Sequence, residues 1–191
     1  MAEFMVCGGW GWSGVEWARI GYLSITLLPP MGLHLAHKIA GKKSGALVKI
    51  AYATMFAFIA YYLFVTNGVN EKICRANYSV FNVPEIASTL YGFYYYGWLI
   101  VALWFIYCQV KQLSGELSKK IFFKAKKSQQ ISALKWLALG YLSFMLPTTL
   151  VNVVNPATLE GIPSIMCGFA VILAMILIGF VAPRTLELKK K

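Results

Sequence analysis

The sequence predicts an all-α integral membrane protein: a bundle of about five transmembrane helices, N-terminus outside and C-terminus in the cytoplasm. Three observations carry this prediction. Hydrophobic residues make up 59% of the 191 positions and charged residues only 13%, a balance outside the range of soluble domains. The apolar residues are grouped in runs of about 20, the length that crosses a hydrocarbon core of roughly 30 Å. The basic residues lie between those runs and favour alternate connections, the pattern that retains loops in the cytoplasm.

The first predicted span, residues 15–39, is interrupted by Pro29 and Pro30. Each removes a backbone donor, so a kink is expected where neighbouring helices satisfy the freed carbonyls. The remaining spans are placed at 46–66, 89–110, 132–154 and 162–181, in a single membrane domain covering 1–191. Between them lie an outer loop, 67–88, and a basic cytoplasmic loop, 111–131. Leu113, Leu117, Ile121 and Phe122 recur at helical spacing among the lysines of that basic loop. This spacing predicts either an extension of the third helix or a surface helix attracted to anionic lipids.

Orientation follows from the distribution of charge. Of the 18 basic residues, all but Arg19, Lys72 and Arg75 fall on one side of the predicted bundle. That side is assigned to the cytoplasm, which requires an odd number of spans. The first dozen residues hold Glu3 and several glycines instead of a basic segment, so the first helix, not a cleavable signal, is expected to direct insertion. The expected location is a cell membrane, with the prokaryotic inner membrane favoured. Net charge of +11 is accounted for by this topology, and no nucleic-acid partner is inferred.

Few residues suggest chemistry. The four cysteines show no metal-site spacing, but Cys7 and Cys74 fall on the same outer side and form a candidate disulfide. Asn77-Tyr78-Ser79 matches a glycosylation acceptor by pattern alone. His34 and His37 share one helical face and are weak metal candidates. A metal site needs further ligands and no carboxylate lies in the adjacent spans, so interfacial placement or interhelical hydrogen bonding is the favoured role of both. No cofactor is predicted.

At the outer end, Asn152 and Asn155 follow Pro147, Thr148 and Thr149, and with Tyr94 and Tyr95 they are the candidate ligand-binding residues. Hydrogen bonding between helices is the commoner use of such amides, and the wider group Tyr91, Phe93, Tyr94, Tyr95, Tyr96 and Trp98 reads as an interfacial aromatic belt. There is no nucleophile setting, no phosphate-binding glycine loop and no HExxH run, so no enzyme activity is predicted. The lack of Asp or Glu within the spans argues against an autonomous pump or ion-coupled transporter.

The run Glu16-Trp17-Ala18-Arg19-Ile20-Gly21-Tyr22-Leu23, then Leu27-Leu28-Pro29-Pro30-Met31-Gly32-Leu33-His34-Leu35, carries a family resemblance. Together with an aromatic third span, the stretch Lys126-Lys127-Ser128-Gln129-Gln130 and a final Ala182-Pro183-Arg184, it resembles the N-terminal seven-helix membrane region of bacterial sensor histidine kinases. Against that family the chain is expected to lack two N-terminal spans and the phosphotransfer and ATP-binding domains. What the resemblance implies is therefore a non-catalytic sensing or docking module, binding a ligand or a partner protein, and not a kinase. The alternative is a small accessory subunit of a larger respiratory or photosynthetic membrane complex. Expected partners are the lipid bilayer, anionic lipids at the basic cytoplasmic loops, and other membrane proteins or further copies of the chain.

Overall fold

The computed structural model describes residues 14–65, 71–74, 79–82, 84–117, 124–154 and 162–190. The elements in order are α1 (Gly14–Ile39), α2 (Ala46–Phe64), the strands β1 (Glu71–Cys74) and β2 (Ser79–Asn82), α3 (Glu85–Leu117), α4 (Lys124–Val154) and α5 (Ile162–Ile176). A π-helical segment, Leu177–Val181, then joins α5 to α6 (Ala182–Lys190). The π turn directly precedes Pro183, which can give no amide hydrogen to Gly179 and crowds its carbonyl. Widening the helix by one residue accommodates that local loss.

Among the described residues, four helical stretches are long and apolar enough to cross a membrane: Ala46–Phe64, Glu85–Gly115, Lys126–Val151 and Gly168–Leu188. The chain is a multi-pass membrane protein. The predicted first span also forms a helix, and its 26 residues reach about 39 Å at the usual rise. It stands apart from the other four because Pro29, Pro30, His34, His37, Ser24 and Thr26 dilute its apolar content.

Two helices organise the bundle: α4 packs against α3, α5, the π segment and α6, and α1 packs against α2 and α3 and also touches α4 and α5. The α1 helix is tied to specific neighbours. Gly41 adopts φ +69°, the left-handed conformation that favours glycine, and the Gly41 and Lys42 amides bond back to the Lys38 and His37 carbonyls. Gln130 of α4 then donates from Nε2 to the Ile39 carbonyl at 3.1 Å. At mid-helix Gly32 lies beneath Tyr141 of α4 so closely that a Cβ there would overlap the tyrosine hydroxyl.

Three boundaries differ from the sequence expectation. The outer loop contains a β-hairpin, with Glu71 paired to Asn82 and Cys74 to Ser79, and α3 begins at Glu85. Alternation in Glu71–Cys74 and Ser79–Asn82 is too short to stand out from a loop by pattern alone. The expected basic loop is mostly helical, since α3 continues to Leu117 and α4 begins at Lys124. The last helix runs on past 181 to Lys190.

Candidate functional site

Because successive helices run in opposite directions, the start of α1, the end of α2, the hairpin and the start of α3 share one end of the bundle. Tyrosines from three helices converge just inside that end. Tyr22 of α1 stacks on Tyr62 of α2 with centroids 4.7 Å apart and meets the ring of Tyr91 from α3 edge-on at 5.7 Å. Tyr62 and Tyr91 pack edge-to-face at 5.6 Å, and Phe58 closes the group against Tyr91 and Tyr94.

Thr26 lies at the centre of this cluster and is completely buried. Its hydroxyl donates to the Tyr22 carbonyl one turn back at 2.5 Å, which commits its single proton. The Tyr91 hydroxyl, 3.1 Å from Thr26 Oγ1, is therefore the donor in that pair. Tyr94 donates to the backbone carbonyl of Thr26 at 2.7 Å. In an uninterrupted helix this carbonyl would bond the amide of residue 30, which is proline. A side chain from α3 thus replaces the missing backbone donor, the kind of compensation that a proline inside a helix needs when its surroundings exclude water.

Tyr62 differs from its neighbours. Its side chain is 1% exposed, yet its hydroxyl has no hydrogen-bond partner among the described residues. Such a group carries a desolvation cost of about 1–3 kcal/mol.

The sequence-derived candidates divide sharply. Tyr94 and Tyr95 do lie in this region, but they are 7% and 5% exposed and face other helices. Tyr91 is likewise buried, so these three tyrosines turn into the bundle and do not form an outward belt, whereas Phe93 is exposed and Tyr96 half-buried. The reason is spacing: Tyr91, Tyr94, Tyr95, Leu99, Ala102 and Ile106 form one helical stripe that turns inward. Asn152 is in the last turn of α4 at the same end, though its side chain lies outside the described residues, as does all of Asn155. The candidate disulfide is outside them as well, since Cys7 and the Cys74 side chain are not described.

At the opposite end the two histidines take different partners. His34 Nδ1 is 3.1 Å from the Tyr52 hydroxyl of α2. His37 donates from Nδ1 to the Leu33 carbonyl at 2.9 Å and stacks on Phe105 of α3 with centroids 3.9 Å apart. The imidazoles thus serve two separate helix contacts.

Thr26, Tyr22 and Tyr62 were absent from the sequence-derived candidates. Pro30 was the available signal, because a proline within a helix points to the carbonyl four residues earlier, here that of Thr26. No protein-family model matches the chain, and neither curated proteins nor solved structures show a significant match to it.

Proposed function

We infer that this chain is a non-catalytic membrane module that acts by binding, with the tyrosine-rich end of the bundle facing its ligand. The observation that carries this reading is the Tyr62 hydroxyl, buried beside Tyr22 and Tyr91 without a hydrogen-bond partner among the described residues. Phenols and a threonine offer hydrogen bonds and ring faces, the chemistry of recognition. A ligand polar group that pairs with Tyr62 recovers the desolvation cost of its hydroxyl and gains affinity by doing so.

In this reading α1 crosses the membrane as a fifth span, shielded from lipid by its neighbours. The basic ends of the helices lie in the cytoplasm and the tyrosine-rich end faces outward. Asn152 and Asn155 belong to the outward surface. A Lys43→Cys variant, in a background with Cys7, Cys74, Cys108 and Cys167 replaced by Ser, tests the orientation, with labelling by an impermeant thiol reagent expected only after the membrane is opened.

The binding role is tested with Tyr62→Phe. The variant should fold and keep or slightly raise its ligand-free thermal stability, because it removes an unpaired hydroxyl. In a thermal-shift screen with neutral hydrogen-bonding small molecules, compounds that stabilise the wild type should lose that effect in the variant. A panel that stabilises both proteins alike removes the cluster from consideration as the binding end.

A further inference from the structure

A second site is built at the basic end, far from the tyrosines and independent of the reading above. Ser128, Ile131, Ser132, Lys135, Trp136 and Leu139 line an open groove of about 410 Å³ on one face of α4. Their spacing of three and four residues places them in a single row. Polar groups occupy the part nearest the helix N-terminus, and apolar ones the part nearer mid-membrane. From Leu139 the row continues beyond the groove through Leu142, Leu146 and Leu150, all exposed on the outside of the bundle.

The floor is held rigidly. Trp136 stacks on Phe180 of the π segment at 4.0 Å, and the Arg184 guanidinium lies 5.7 Å from the Trp136 ring centroid. Arg184 donates from Nε to Ser132 Oγ at 2.9 Å and from Nη1 to the Phe180 carbonyl at 2.8 Å. Ser132 is an acceptor in the first of these bonds, which leaves its own hydroxyl proton available to a further acceptor. Lys135 is exposed and makes no ion pair among the described residues. The nearby carboxylate of Glu187 accepts a hydrogen bond from Gln129 at 2.6 Å.

We propose that this groove binds the phosphate headgroup of an anionic phospholipid through Lys135 and the Ser132 hydroxyl, with an acyl chain lying along the Leu139–Leu150 row. Two cations, Lys135 and Arg184, flank a hydroxyl donor, which complements a phosphate oxygen. The adjoining leucine row is matched to a chain, which free phosphate lacks. The site is thus a place for one lipid molecule, distinct from the diffuse attraction of lysines to a charged surface.

The test uses the full chain, stripped of lipid in mild detergent and mixed with phosphatidylglycerol or phosphatidylcholine, with retained lipid counted by native mass spectrometry. The wild type is expected to hold one phosphatidylglycerol under conditions that remove phosphatidylcholine. Lys135→Gln, an exposed substitution, should lower retention about fivefold, while Lys49→Gln on α2 at the same end should leave it unchanged. Equal losses in the two variants would show diffuse attraction and overturn the proposal, and so would equal retention of the two lipids. Release of phosphatidylglycerol by excess inorganic phosphate alone would make this a free-anion site and overturn it too.

Discussion

The first and last long helices solve the same problem in opposite ways. The stretch Gly168–Leu188 has a mean hydropathy of 2.2 over its most apolar window, and only 17% of that window is buried by protein. Val171, Met175 and Ile178 are more than half exposed on its surface. α1 holds two prolines, two histidines and a buried threonine, and neighbouring helices cover much of its surface. Hydropathy is therefore demanded by contact with lipid, and a helix enclosed by other helices is released from that demand. The release is conditional, because each polar group on α1 then needs a partner in the bundle.

The largest test of this contrast is steric. Gly32→Leu on α1 drives a side chain into Tyr141, and should cost about 3 kcal/mol or prevent folding. Gly179→Leu in the π segment meets open space and should change thermal stability by less than about 0.5 kcal/mol. Comparable losses in thermal unfolding would mean that the two helices are packed alike.

A polar exchange should give the next largest effect. Thr26→Val removes the acceptor of the Tyr91 hydrogen bond and should cost about 1–2 kcal/mol, although it makes α1 more apolar. Ile178→Thr, on the exposed face of the last helix, makes that helix more polar and should reduce membrane insertion efficiency with little effect on interhelical packing. An increase in stability from Thr26→Val would show that lipid, and not protein, sets the requirement on α1.

The smallest effect isolates the proline compensation. Tyr94→Phe should cost about 1 kcal/mol in the wild type, in the range of hydrogen bonds between membrane helices. In a Pro30→Ala background the Thr26 carbonyl regains a backbone donor, so the same change should cost less. A double-mutant cycle with no coupling would break the link between Pro30 and Tyr94.

How much of this was legible beforehand depends on the residue. The five helical runs followed from run length, and the freed carbonyl near the proline pair followed from the chemistry of proline. The sequence shows Tyr94 as part of an aromatic cluster but not as the donor to Thr26, because a single helix does not reveal which face a neighbour covers. Tyr91, Tyr94 and Tyr95 fit an interfacial belt or an inward stripe equally well by spacing, and only packing against α1 and α2 distinguishes them. Arg184 gave no sign of its contacts with Trp136 and Ser132, which bring together residues about 50 positions apart.

The sequence by itself determined that the chain forms about five long helices and that it resides in a membrane. Both follow from properties summed along a contiguous run: apolar length against the thickness of the bilayer, and charge between runs. The tertiary structure alone decided which helices enclose α1, which donor replaces the amide lost at Pro30, and that the Tyr62 hydroxyl is buried without a partner among the described residues. Those outcomes depend on side chains from different helices meeting within hydrogen-bonding distance, and no sum along the chain contains that information.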